Sequence, residues 1–224
     1  MLAQTSLTRP PLVPELRLHL ADEITPLWER TEEALGAPGA DPPFWAFGWA
    51  GGLAVARYLL DHPEEVTGRT VLDLAAGSGV GAIAAVLAGA RSALAADIGP
   101  FTGAAVAVNA EANGVRVAFT GRDLLADEPP TVDVVIAGDV CYERRMTGRV
   151  LAWLAAAHVR GARVLLGDPT RGFLPADGLL RLAEYPVPTP VDLEGVAVRR
   201  TSVYTLSQPT GGPPPAAAAG ATSS

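Results

Sequence analysis

Residues 71–81 read Val71-Leu72-Asp73-Leu74-Ala75-Ala76-Gly77-Ser78-Gly79-Val80-Gly81. An apolar run of strand length ends there in a glycine-rich turn and passes into small residues. Gly77 and Gly79 let the main chain turn sharply and approach another molecule without a Cβ in the way. The stretch from Gly79 to Ala88 reads as a helix of small residues, and its N-terminus offers unpaired N–H groups to a ligand. Strand, tight turn and helix open a parallel βαβ unit. The turn therefore predicts an α/β fold with a ligand site beyond the carboxyl ends of its strands.

The chain keeps up the alternation. Ser92 to Ala96 reads as strand two, ending on Asp97, and Phe101 to Asn113 as a helix with Phe101, Ala104, Ala105, Val108 and Ala112 on one face and Gly114 as its C-cap. Val115 to Thr120 is the third strand. Val132 to Ala137 is an apolar run typical of a central strand and leads into Gly138-Asp139. Met146 to His158 is helical through Met146, Val150 and Leu154 and stops at Gly161; Arg163 to Leu166 is strand five, and Val196 to Leu206 an outer strand. Buried-type strands alternating with helices imply a mostly parallel, Rossmann-like sheet covered on both faces.

Ahead of the first strand, Leu16, Leu20, Ile24, Leu27 and Trp28 recur at spacings of three and four within Val13 to Gly36. They predict a helical arm broken near Pro26. Asp41-Pro42-Pro43 interrupts it, a dense aromatic turn runs from Phe44 to Gly52, and Leu53 to Asp61 is a short helix ended at His62-Pro63. Ser207 to Ser224 is uncharged and rich in Pro, Gly, Ala and Ser, the composition of a disordered tail. The expected organisation is an N-terminal helical arm over 1–40, one α/β domain over 41–206 and a tail over 207–224.

Composition narrows the function. All 17 basic residues are arginine and the net charge is −7, which argues against a sequence-independent grip on nucleic acid. The one cysteine, Cys141, allows no internal disulfide and no thiolate metal site, and His19, His62 and His158 share no ligand spacing. No metal is expected. The first residues, MLAQTSLTRPP, lack a signal-peptide layout, and the longest apolar run, Ala82 to Ala90, is too short to cross a bilayer. A cytoplasmic protein away from membranes is the expectation.

The residues with chemistry fall at predicted strand ends. A glycine turn alone fits a dinucleotide, since Gly77, Gly79 and Ala82 match a G-x-G-x-x-A pattern. Asp73, a carboxylate on the strand before the turn, separates the alternatives: it is unfavourable beside a pyrophosphate and favourable beside the ammonium of S-adenosylmethionine. Asp97 can accept both ribose hydroxyls, or simply initiate the turn at Gly99-Pro100. Asp123 can accept from an adenine amino group or serve as a loop residue. Asp139 and Tyr142 put a carboxylate and a phenol at the end of the central strand, where a transferable methyl would lie; Asp139 could otherwise cap the next helix. Cys141 between them reads as a small buried filler. Trp49 beside Gly51-Gly52 suits contact with a sulfonium or methylated ammonium by cation–π attraction, and the aromatic turn could equally be core.

Together these segments resemble the class I, seven-strand S-adenosylmethionine-dependent methyltransferases, and among them the electron transfer flavoprotein beta-subunit lysine methyltransferase family. The resemblance covers about residues 10 to 206. It is carried by Val13-Pro14-Glu15-Leu16-Arg17-Leu18-His19-Leu20-Ala21, by Pro43 to Gly52, by the glycine turn, by Asn109-Ala110-Glu111-Ala112-Asn113-Gly114 and by Asp139-Val140-Cys141-Tyr142, which looks like the family's D-x-x-Y motif. It implies that Trp49, Ala75, Ala76, Gly77, Asp97, Asp123, Leu124 and Gly138 line S-adenosyl-L-methionine, with Gly51, Asp73, Gly79 and Ile98 completing the set. Asp139 and Tyr142 would face the substrate amine as catalytic residues. The implied substrate is a protein lysine, with the electron transfer flavoprotein beta subunit favoured over another protein, such as a ribosomal one, or a small molecule. The enzyme is expected to be a monomer. Ala75-Ala76 departs from the family, many members of which carry glycine at the first position. A dinucleotide-dependent reductase and a non-catalytic cofactor-binding regulator are the readings from other classes; Asp73 disfavours the first and the Asp139/Tyr142 pair the second.

Overall fold

The computed structural model describes residues 5–21, 23–37, 41–170, 172–175 and 177–207. Residues 208–224 of the expected tail lie outside it. The N-terminal segment departs from the helical expectation. It opens with a short antiparallel hairpin of β1 (Ser6–Thr8) and β2 (Leu18–Leu20). Only afterwards comes a helix, α1 (Ile24–Leu35), closed by Gly36 in the left-handed conformation at φ 59°. Leu16 and Leu20, which the spacing assigns to a helix, sit in the turn and in β2. Pro10, Pro11 and Pro14 explain this, because each removes a backbone donor and fixes φ. Pro26 falls in the first turn of α1, where a missing N–H costs nothing, so it helps begin the helix rather than break it. Nor is this segment a detached arm: Val13, Leu16 and Leu18 are fully buried in the main core.

The alternating part follows the reading closely. A 3₁₀ turn at Phe44–Ala46 leads into α2 (Ala50–Asp61), then β3 (Thr70–Leu74), α3 (Val80–Leu87), β4 (Ser92–Ala96), α4 (Thr102–Ala112) and the short β5 (Ala118–Thr120). Next come β6 (Val134–Gly138), α5 (Arg144–Val159), β7 (Arg163–Asp168), β8 (Leu179–Pro188), α6 (Val191–Glu194) and β9 (Val198–Leu206). They build a seven-stranded sheet in the order β5-β4-β3-β6-β7-β9-β8. The first five strands in that order run parallel, and β9 is antiparallel to both β7 and β8. β8 is absent from the sequence reading; Pro186 and Pro188 suit it to the sheet edge, where a missing donor faces no partner.

Both faces of the sheet are buried by alternation. Val71, Ala93, Val134, Ile136 and Leu165 pack against α2 and α3, whereas Leu72, Val135, Ala137, Val164 and Leu166 pack against Val150, Trp153 and Leu154 of α5. Among the described residues no helix is long and apolar enough to cross a membrane.

The buried face of α4 is Thr102, Ala105, Val106, Asn109 and Ala110, rotated from the apolar face read in the sequence. Asn109 is the cause. Fully buried, it donates from Nδ2 to the carbonyl of Ser78 in the glycine loop at 2.9 Å and accepts at Oδ1 from the His19 N–H of β2 at 2.7 Å. One turn later Asn113 accepts from the Arg17 N–H at 2.9 Å and donates to the Arg17 carbonyl at 2.6 Å. Two asparagines thus lace the N-terminal hairpin to the glycine loop. Asn109→Ala strands two main-chain groups inside the protein, so it is expected to cost about 2–3 kcal/mol in urea unfolding. Asn113→Ala, nearer the surface, is expected to cost about 1 kcal/mol.

Candidate active site

The site begins with a seam of glycines. The first turn of α2 lies directly across the ends of β6 and β7, where a Cβ on Gly138 would strike the main chain of Gly52 and one on Gly167 the carbonyl of Gly51. Gly51 belongs to the same seam: its added Cβ would meet the Gly167 carbonyl and come 2.7 Å from the Asp139 nitrogen. Gly51 is buried there, off the cavity wall on which the sequence reading puts it. Gly79 is also off the wall. It holds the N-cap of α3 at φ 79° and faces Val106 of α4, whose Cγ2 a Cβ would approach to 3.1 Å. Both glycines serve backbone approach.

Beyond the carboxyl ends of β3, β4 and β6 opens a cavity of about 600 Å³, within the range of small-molecule sites. Ala75 and Gly77 of the glycine turn, Asp97 and Ile98 after β4, Asp123 and Leu124 after β5, and Gly138 and Asp139 after β6 line it. Trp49 and Tyr142 complete its wall near Phe44. A crevice of about 40 Å³ adjoins it, with Asp73, Ala76 and Gly77 on one side and Trp49, Gly52 and Asp139 on the other. Of the expected site residues, all but Gly51 and Gly79 border one of these spaces. Sequence reasoning missed Thr31 and Leu35 of α1, Phe101 at the start of α4, and Met146 and Val150 of α5. Met146 and Val150 could have been suspected from their inward helical stripe; nothing local marks Thr31.

The four aspartates expected at the site, Asp73, Asp97, Asp123 and Asp139, are all tied to backbone. Asp97 accepts from the Gly77 N–H at 2.9 Å with Oδ2, and with Oδ1 from the Gly99 N–H at 2.8 Å and the Thr102 hydroxyl at 3.2 Å. It therefore initiates the expected turn and also pins the glycine loop. Asp123 caps its 3₁₀ turn by accepting from the Leu125 N–H at 3.0 Å and lies 3.4 Å from Arg149. Asp73, buried, accepts from the Ala82 N–H in the first turn of α3 at 2.8 Å. Burial pushes its carboxyl up to about 7, against the hydrogen bond from Ala82, and the nearby charge of Asp97 adds to the rise. Ala75 has φ 56°, a left-handed conformation costing a non-glycine residue about 1 kcal/mol. Its methyl is exposed at the cavity.

Asp139 is also left-handed, at φ 56°. Its N–H donates to the Gly167 carbonyl at 3.0 Å, and its Oδ2 accepts from the Gly52 N–H at 3.0 Å. An aromatic group frames the opening beside it. The Trp49 indole donates to the Phe44 carbonyl at 2.9 Å, and the Phe44 ring lies 5.9 Å from Trp49 and 6.0 Å from Tyr142. Tyr142 is 48% exposed. Burial of part of its ring and the acids Asp41, Glu143 and Asp97 raise its phenol above the ordinary value, so it stays a neutral donor. Cys141 is fully buried, and burial pushes its thiol up to about 12, too high for a nucleophile.

This arrangement can hold a nucleoside with an attached cation along the strand ends and present a second cationic group past the aromatic frame. Comparison with known proteins agrees. A family profile described as ribosomal protein L11 methyltransferase (PrmA) matches residues 55–140. The chain is 36% identical over 203 residues to the electron transfer flavoprotein beta subunit lysine methyltransferase of Rattus norvegicus, across 86% of this chain and 77% of that protein. To the protein of that name from Xenopus laevis it is 34% identical over 212 residues, across 92% of this chain and 85% of that one. Among solved structures, the ribosomal protein L11 methylase of Lactobacillus delbrueckii subsp. bulgaricus shares the fold at a TM-score of 0.51 and 21% identity, over 77% of this chain and 84% of that chain. The magnesium protoporphyrin IX methyltransferase of Synechocystis, solved with bound SAM, does so at 0.50 and 19%, over 70% of this chain and 78% of that chain.

Proposed function

The chain belongs to the electron transfer flavoprotein beta subunit lysine methyltransferase family and is an S-adenosylmethionine-dependent methyltransferase, and on that premise we propose that it methylates lysine side chains of the electron transfer flavoprotein beta subunit. The observation that carries the reading is the cavity at the ends of β3, β4 and β6, which opens past Trp49 and Phe44 onto Asp139 and Tyr142.

The residues present fit the cofactor. Asp97 retains one lone pair, on Oδ2, to accept from a ribose hydroxyl while it pins Gly77, and Asp123 and Leu124 border the adenine end. Asp73 answers the cofactor's ammonium from the crevice. When bound, the cofactor supplies a methyl group on a sulfonium, already a strong electrophile. The protein's share is to place the amine in line, shed its proton and exclude water. Asp139 and Tyr142 would orient the amine, and Trp49 and Phe44 would hold the sulfonium and the incoming ammonium by their faces. The same reading takes the enzyme as a cytoplasmic monomer without a nucleic-acid partner, supported by its net charge of −7 and its single buried cysteine. Residues 41–206 would form the catalytic domain, with the preceding segment completing its wall.

A ribosomal-protein substrate is the second reading, supported by the profile match over 55–140. That match spans α2 to β6, which is mainly cofactor-binding framework. Incubating the enzyme with labelled cofactor and each purified candidate protein decides between them.

Asp73 makes cofactor binding pH-dependent. In the free protein its buried carboxyl, near 7, holds a proton in mild acid. Beside the cofactor's ammonium the ionised form is favoured, so binding releases that proton. Affinity therefore rises with pH, by at most about tenfold per unit below pH 7, levels off above it, and declines again as the cofactor's own amino group loses its proton at about pH 8. Calorimetry from about pH 5.5 to about pH 8.5 should show this slope, and Asp73→Asn should flatten it.

A further inference from the structure

The first turn of α2 and the carboxylate of Asp139 form a unit that sequence spacing does not disclose. Trp49 stands at the N-cap of α2 and provides no side-chain acceptor. Asp139, 87 residues beyond Gly52, supplies one through the contact of its Oδ2 with the Gly52 N–H. The carboxylate is held from two sides. Its own backbone is left-handed and bonded to β7 through the Gly167 carbonyl. From the helix side, a Cβ on Gly51 would come 2.6 Å from Oδ2, so only glycine allows α2 to settle at this distance.

We propose that the first turn of α2 makes Asp139 a fixed anion that orients the substrate amine and does not take its proton, with Gly51 and Gly52 as positioning residues. The inference rests on the lysine-methylation reading for its kinetic part. A helix N-terminus favours a carboxylate as the anion and so makes it a poorer proton acceptor. It also leaves Oδ2 committed to Gly52, which fixes the carboxylate plane against the cavity.

The titratable groups around Asp139 are Asp73 on β3, Asp97 after β4, Cys141 and Tyr142 after β6, Asp168 at the end of β7, and Asp41 and Glu143 near Tyr142. α2 contributes no charged side chain there, only its N-terminal N–H groups. A surround of acids attracts an ammonium and raises its pKa; it also pushes Asp139 toward protonation, against which the Gly52 N–H and the N-terminus of α2 act. The amine therefore sheds its proton to solvent, before the site closes over it, only as pH rises toward its own raised pKa, and Asp139 stays anionic throughout.

Two measurements on the full chain test this. In the first, NMR follows the Gly52 amide from about pH 5.5 to about pH 8.5, without substrate. Because Asp73 titrates near 7 in the same crevice, the titration is read in Asp73→Asn: a fixed anion predicts a downfield Gly52 shift constant across that range and an upfield move when Asp139→Asn is added; a Gly52 shift that still titrates in Asp73→Asn overturns the proposal. In the second, methyl transfer at saturating cofactor is recorded against pH. Asp139→Asn should lower kcat by roughly a hundredfold yet keep the rise with pH, displaced to lower pH because the anion beside the amine is gone. Loss of the pH-dependent limb in that variant would identify Asp139 as the base. Gly51→Ala should reproduce the kcat loss with cofactor Kd changed less than about threefold; if it does not fold, the other two results still decide. If the wild type methylates no lysine, the substrate reading fails, and the Gly52 amide still tests the fixed anion.

Discussion

Asp139→Ala is expected to lower methyl transfer by roughly a thousandfold or more, while S-adenosylmethionine affinity changes by less than about fivefold. The split follows from where Asp139 stands. Its carboxylate borders the cavity beside the crevice of Asp73 and next to Tyr142, at the end of the reading's path for the amine and away from the ribose end at Asp97. Removing it leaves the amine unanchored at the moment it must align with the methyl. The substitution also deletes the acceptor for Gly52, a cap worth about 1 kcal/mol. Unfolding curves should therefore show a modest loss of stability, too small to explain the kinetic defect. Steady-state kinetics with calorimetry on the same preparation separates the two effects. Undiminished turnover would remove Asp139 from the mechanism.

Asp97→Ala should give the opposite pattern, raising the cofactor Kd by roughly a hundredfold or more with a smaller effect on kcat at saturation. One charge-assisted hydrogen bond to a ribose hydroxyl, after exchange with water, amounts to about 2 kcal/mol, which is more than one power of ten in Kd. The same carboxylate holds the Gly77 and Gly99 N–H groups and the Thr102 hydroxyl. Losing it frees the glycine loop as well as the ribose, so the loss exceeds that from ligand contacts alone. Asp97→Asn keeps one acceptor oxygen and should fall between. Calorimetry on the two variants ranks them, and equal affinity for wild type and Asp97→Ala would remove the ribose assignment.

Why some of this was legible in sequence and some was not has physical reasons. β3, β4 and β6 are buried on both faces, so their apolar runs announce them, and carboxylates at their ends stand where ligands of parallel sheets lie. The N-terminal hairpin imitates a helix in sequence because buried apolar residues at spacings of three and four also arise in a chain bent repeatedly by prolines; Leu16 and Leu20 satisfy the helical pattern by coincidence. β8 went unseen because an edge strand with Pro186 and Pro188 carries little of the buried-strand signal. Asn109 rotated the face assigned to α4, since its burial depends on partners at Ser78 and His19 that spacing cannot supply. Gly51 and Gly79 look like ligand-contact glycines in sequence. The structure uses both for helix approach, a distinction that only the neighbouring element decides.

The proposed reaction is methyl transfer to a lysine of the electron transfer flavoprotein beta subunit. Its most direct test is mass spectrometry of that purified subunit after incubation with the enzyme and isotopically labelled S-adenosylmethionine, with Asp139→Ala as the control. Labelled methyl groups are expected on lysine with the wild type and none with the variant. Cofactor binding by calorimetry together with an unlabelled beta subunit, or label appearing on a ribosomal protein instead, would contradict it.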